Sequence, residues 1–190
     1  PINKLIVATN QNDILHRTIS NGKYEVETVF ETISPSMDIQ IASNFERLIY
    51  DLNNQDDVET KNVMIKIKEE GKYIFSKEKL KKIKNFFSSA SMNEVEVLNI
   101  IKEVYEKYKI ILDPHSAIGF GALKKIKQEG KNVVLATAHP CKFPDAINKS
   151  INLKPSLPTE LKYVLDEKEN YDIIPNNLEK IKKFIKSKIQ

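Results

Sequence analysis

Leu5-Ile6-Val7-Ala8-Thr9-Asn10-Gln11-Asn12-Asp13-Ile14-Leu15-His16-Arg17 is the stretch that decides the fold. Its opening apolar run reads as a strand covered on both faces, predicted over Lys4 to Thr9. The run stops at Asn10. Asn12 and Asp13 then offer cap-type side chains for a helix carrying Ile14, Leu15 and Ile19, which Asn21 and Gly22 end. Val133, Val134, Leu135 and Ala136 repeat the apolar pattern and predict a second strand over Asn132 to Thr137. A helix precedes it, opened by Asp113 with Pro114 in its first position and running to about Glu129 before Gly130. Within that helix, Gly119 and Gly121 leave room for another backbone to come close. Strands and helices in this alternation specify an α/β sheet, whose ligands collect beyond the carboxyl ends of the strands.

Between the two predicted strands the periodicity is helical. Ser43 followed by Glu46 reads as a capping box, with Phe45, Leu48, Ile49 and Leu52 as the apolar stripe behind it. Leu80, Ile83, Phe86 and Phe87 mark another helix, and Val95, Leu98, Ile101 and Tyr105 a third. The chain therefore divides into residues 1–43 and 109–150 as parts of a sheet domain, 44–108 as a helical insertion, and 151–190 as an extension. The extension ends in an amphipathic helix from Pro175, with Leu178, Ile181, Ile185 and Ile189 along one side.

A chain of 190 residues, 41% hydrophobic and 29% charged, excludes a disordered tail, a collagen and a disulfide-stapled miniature. No apolar run has the ~18 residues of a membrane span, no secretory leader pattern is seen, and Cys141 stands alone, so a cytoplasmic protein is expected. Pro1 in first position suggests processing or excision from something longer. The formal net charge is +4, and all but Arg17 and Arg47 of the 30 basic residues are lysines. They sit among Glu and Ile at helical spacing, the pattern of solvated helix faces and not of a nucleic-acid surface.

Polar residues gather where the two strands end: Thr9 to Asp13 after the first, Thr137, Ala138, His139 and Pro140 after the second. The helix that follows the first strand aims unpaired amides and a partial positive charge at that crevice, which favours a phosphate or carboxylate. The scattered glycines build no phosphate cradle, and no nucleophile elbow is present. His16, His115 and His139 lie far apart, without the close pairing of a metal helix.

Four strings in order go further than these patterns. Val7-Ala8-Thr9-Asn10-Gln11-Asn12-Asp13-Ile14-Leu15-His16-Arg17, Ser34-Pro35-Ser36-Met37-Asp38-Ile39 with Ser43-Asn44-Phe45-Glu46-Arg47, Asp113-Pro114-His115-Ser116-Ala117, and Ala136-Thr137-Ala138-His139-Pro140-Cys141-Lys142-Phe143-Pro144 together resemble threonine synthase, in the carboxyl-terminal part of its longer form. The likeness runs from Pro1 to roughly Ile151. It implies part of a tryptophan-synthase-like (fold type II) parallel-sheet domain with a helical insertion. It further implies a pyridoxal-phosphate lyase that converts O-phospho-L-homoserine and water into L-threonine and phosphate, the last step of threonine biosynthesis.

The same resemblance places Thr137 opposite the pyridine nitrogen of the cofactor. It puts Asn10, Asn12, Arg17, His115 and Ser116 on the substrate side, where a planar guanidinium suits phosphate or carboxylate. Ser43, Asn44, Glu46 and Arg47 also match, but the capping box accounts for Ser43 and Glu46. Two features of the family are missing: the Schiff-base lysine of its earlier half and the glycine-rich phosphate loop. Cys141 and Ser116 stand where the family commonly has a small apolar residue and Thr. The chain alone is therefore expected to bind cofactor poorly, to lack synthase activity, and to self-associate through the uncovered strand. Two other readings stay open: a non-catalytic helical module for protein or nucleic acid, and a metal-dependent hydrolase using His16, His115 and His139.

Overall fold

The computed structural model describes residues 2–189. A strand β1 (Leu5–Thr9) leads into helix α1 (Ile14–Asn21), which ends at Gly22 in the left-handed region with φ 80°. A short strand β2 (Lys23–Glu25) follows, and the chain then loops through a 3-10 turn at Pro35–Met37. Helices α2 (Glu46–Leu52) and α3 (Asp57–Glu70) come next, then strand β3 (Lys72–Ile74), which pairs antiparallel with β2. Helix α4 (Lys77–Phe86) runs directly into strand β4 (Phe87–Ser91), followed by α5 (Glu94–Tyr108), α6 (Pro114–Ile126) and α7 (Pro144–Ile151).

The segment 44–108 is thus not wholly helical. Strand β4 lies parallel to β1 in the register Leu5↔Phe87 to Thr9↔Ser91, so the sheet takes its second strand from inside the predicted insertion. Phe87-Ser88-Ser89-Ala90-Ser91 lacks the β-branched residues that announce a strand. Its small side chains instead let helices approach both faces. On one face Val7 packs with Ile14, Ile19, Tyr24, Phe45 and Ile83. On the other Ala8 joins Met92 and, from α5, α6 and α7, Ile101, Ala117, Ile118 and Ile147.

Residues 132–137 do not form the predicted strand. A strand needs a hydrogen-bonded neighbour, and among the described residues none lies beside this segment. Val133 there is 87% and Leu135 74% exposed. Val134 nevertheless seats against Gly119, where an added Cβ would lie 3.1 Å from Val134 Cγ1. Gly121 is filled by the side chain of Met92, so both glycines admit side chains and not a backbone.

The caps differ as well. Ser43 to Phe45 form a 3-10 turn, and α2 starts without a side-chain cap, so Ser43 and Glu46 make no capping box. The capping box lies at Asn93 and Glu96, at the start of α5. Asp13 does not cap α1, because its carboxylate turns to Arg17. Residues 156–190 form a separate unit holding a 3-10 stretch, Thr159–Leu165, and helix α8 (Leu178–Ile189). No described helix is long and apolar enough to cross a membrane.

Candidate functional site

The carboxyl end of β1 carries a buried amide cluster. Asn10 is 2% exposed; its Oδ1 accepts from the Asn12 amide at 2.9 Å, and both side-chain amides donate to Asp38 Oδ1. Asn10 Nδ2 donates into a group of oxygens comprising Asp38 Oδ1 at 2.7 Å, Thr32 Oγ1 at 2.9 Å and Ser34 Oγ at 3.0 Å. Asn12, also 2% exposed, clasps Phe30 as a strand neighbour would: Oδ1 accepts from the Phe30 amide and Nδ2 donates to the Phe30 carbonyl, each at 2.8 Å. Asp38 closes the cluster by accepting from Thr32 N at 2.8 Å and from Thr32 Oγ1 at 2.7 Å. Together these bonds fold residues 30–38 over the strand end.

Arg17 lies on the same helix side as Asp13 and ties down the start of that loop. Its Nε donates to Asp13 at 2.8 Å, Nη1 to the Glu25 carbonyl at 3.0 Å and to Glu27 at 2.9 Å, and Nη2 to Gln40 at 3.2 Å. The guanidinium is therefore spent on protein acceptors, with its side chain only 19% exposed.

The second half of the cluster is built on the start of α6. Asp113, at the N-cap, accepts from the His115 amide at 3.0 Å, from the Ser116 amide at 3.3 Å and from the Ser116 hydroxyl, while His115 Nδ1 lies 2.9 Å from its Oδ1. His115 reaches outward on its other side, its Nε2 accepting from the Ser36 amide at 3.2 Å. Its ring also packs tilted on Phe143, with centroids 4.8 Å apart. Ser116 Oγ accepts from the Thr137 amide at 3.1 Å. Asn10 bonds Ser34, Ser36 bonds His115, and Ser116 bonds Thr137, so the ends of both apolar runs meet around one polar seam.

Thr137 is exposed, its main chain anchored and its hydroxyl without a protein partner among the described residues. Thr9, 7% exposed, carries a buried hydroxyl that also finds none. Sequence reading does not reach Thr32 or the backbone of Phe30, and it gives Asp113 only as the start of its helix. Ser34, Ser36 and Asp38 stand in a matching string, but contacts spanning 24 to 79 residues leave no periodic trace from which to assign them a role.

The three histidines do not converge. His16 Nδ1 lies 3.0 Å from Ser89 Oγ, and His139 Nδ1 accepts from the Cys141 amide at 3.2 Å. Among the described residues no group of three or more His, Cys, Asp or Glu could hold a metal ion. Arg47 lines a separate open groove of about 850 Å³ between α2 and α3, with Ile41, Tyr50, Met64 and Lys68.

Residues 116–185 match the family model described as the carboxyl-terminal part of threonine synthase. The threonine synthase of Pseudomonas aeruginosa is 37% identical over 188 residues, covering 97% of this chain and 40% of the relative. The chain belongs to the threonine synthase family. It superposes on the crystal structure of a pyridoxal-phosphate-bound threonine synthase from Brucella melitensis with a TM-score of 0.88 at 40% identity, covering 98% of this chain and 40% of that one. For the yeast threonine synthase structure the TM-score is 0.82 at 34% identity, over 100% of this chain and 42% of that one. The α/β fold is therefore that of the threonine synthases. The chain corresponds to their carboxyl-terminal portion and spans about 40% of the length of the relatives it matches.

Proposed function

We propose that the complete gene product containing this sequence is a pyridoxal-phosphate-dependent threonine synthase. It would convert O-phospho-L-homoserine and water into L-threonine and phosphate, and this chain would form one wall of the site. The observation that carries the reading is the seam itself: Thr137 is fixed by its amide to Ser116 while its hydroxyl stays open, and the neighbouring His115 bonds the loop that Asn10 and Asn12 hold. When bound, pyridoxal phosphate acidifies carbon-bound protons of an amino-acid substrate.

The donor set suits such a group. Thr137 offers a neutral hydroxyl, which can hydrogen-bond a ring nitrogen without forcing a proton onto it. Thr9 adds a buried hydroxyl in need of a partner, and such groups rarely stay unpaired. Asn10, Asn12, Arg17, His115 and Ser116 serve the substrate side through the loops they order, since their own polar atoms are already bonded within the protein.

The chain supplies no Schiff-base lysine in the family's context and no glycine-rich phosphate loop, so the 190-residue chain alone should not make threonine. The test is threonine formation from O-phospho-L-homoserine by the complete gene product, with and without added pyridoxal phosphate. Cofactor-dependent threonine and phosphate in equal amounts support the reading, and their absence from soluble, folded protein refutes it. In the same protein Thr137→Ala should weaken pyridoxal-phosphate binding about tenfold, the scale of one lost polar contact. Unchanged affinity by fluorescence titration would count against the role of Thr137.

A further inference from the structure

Asp113 has no part in the proposed chemistry, yet its side chain is 0% exposed and makes no ion pair with Lys or Arg among the described residues. A buried carboxylate in that state is costly unless hydrogen-bond donors surround it. The donors here come from α6 alone: the His115 and Ser116 amides, the His115 ring and the Ser116 hydroxyl. The amino terminus of that helix adds its own favourable field.

The direction of each bond follows from main-chain groups that can only donate. The Ser36 N–H points at His115 Nε2, so that nitrogen is the acceptor, and the proton of the neutral ring sits on Nδ1, facing Asp113. The Thr137 N–H points at Ser116 Oγ, so the Ser116 hydrogen goes to Asp113. One carboxylate thereby orients two side chains, and each presents a lone pair to a distant loop. Bonds to an ionised acceptor are the stronger kind, which makes this a stiff support.

We propose that Asp113 is a positioning residue: it fixes the Ser116 hydroxyl and the His115 ring, and through them holds the Thr137 and Ser36 segments on one side of the site. This deepens the role given to Thr137 and rests on it.

The first test uses the full 190-residue chain, labelled with nitrogen-15. At pH 8, His115 should show a protonated Nδ1 and an acceptor Nε2. Ser116→Ala should speed Thr137 amide exchange about tenfold and leave Ser36 unchanged, whereas Asp113→Asn should speed both. Ser116→Thr, which keeps the hydroxyl, should restore Thr137 protection. A proton on His115 Nε2, or unchanged Thr137 exchange in folded Ser116→Ala, overturns the proposal; neither observation depends on Asp113→Asn folding.

The second test measures pyridoxal-phosphate affinity and the absorption maximum of the bound cofactor in the complete gene product. Ser116→Ala should weaken binding in the same direction as Thr137→Ala and shift the band, with Ser116→Thr reversing both. If Thr137→Ala weakens binding and Ser116→Ala does not, positioning by Asp113 fails while the role of Thr137 stands. If neither variant changes binding, the reading of Thr137 fails and takes this inference with it.

Discussion

Tyr24 is 2% exposed, its ring stacked on Phe45 with centroids 5.7 Å apart and its oxygen accepting from the Ala42 amide at 3.0 Å. Burial pushes its ionisation above the usual tyrosine range, against the opposing pull of the Ala42 amide. A raised folded-state value favours the neutral phenol, so this contribution to stability is present below the ordinary tyrosine range. It is lost as pH rises through the higher folded value. Tyr24→Phe leaves the Ala42 amide unpaired and should cost about 1–3 kcal/mol at pH 8 in urea unfolding, with the gap to wild type narrowing by pH 11. Single residues also mark how far sequence reading reached into the site. Asn10, Asn12 and Arg17 stood out as a polar cluster at a strand end. The Asp13 partner lies four residues before Arg17, but Glu27 and Gln40 could not be read there, because they come from a loop without periodicity.

Helix α6 links the core to the site, and its small residues set how closely the 132–137 segment approaches. Gly119→Val would drive side-chain atoms into Val134, whose Cγ1 already lies 3.1 Å from an added Cβ. The expected cost is about 1–3 kcal/mol of stability, together with faster exchange of the Thr137 amide; an unchanged urea midpoint would show that the segment is not seated as described. Gly121→Ala meets the flexible end of Met92 instead, and the helix preference of Ala, about 1 kcal/mol over Gly, offsets much of the crowding.

Elements with strong apolar periodicity or clear stop signals were legible: β1, α1 with its Gly22 stop, α5, and α6 with Asp113 and Pro114 at its start. Strand β4 was not, because Ser88, Ser89, Ala90 and Ser91 are chosen for the helices that cover them and not for strand preference. Ser89 lies 3.0 Å from His16 Nδ1, and Ser91 donates to the Asn10 carbonyl at 2.8 Å. The opposite error befell Asn132 to Thr137, where apolar composition indicated burial but could not supply a neighbouring strand.

Across the molecule, the two apolar runs that opened the reading fare differently. The first pairs with β4 alone and is only partly buried, with Leu5 46% exposed, whereas Val133 and Leu135 present their side chains to solvent at 87% and 74%. Such residues favour association when the chain is alone. Light scattering of the 190-residue chain should give a mass above one copy, and Val133→Lys with Leu135→Lys should lower it; a monomer at every concentration would refute self-association. The central claim is that the end of β1 and the residues around Thr137 border one cofactor site in the complete gene product. Hydrogen–deuterium exchange with and without pyridoxal phosphate addresses it directly. Slower exchange is expected in peptides covering 9–13 and 136–139, with the α2–α3 groove unaffected; cofactor-bound protein showing no change in those peptides, or protection only at the groove, would contradict it.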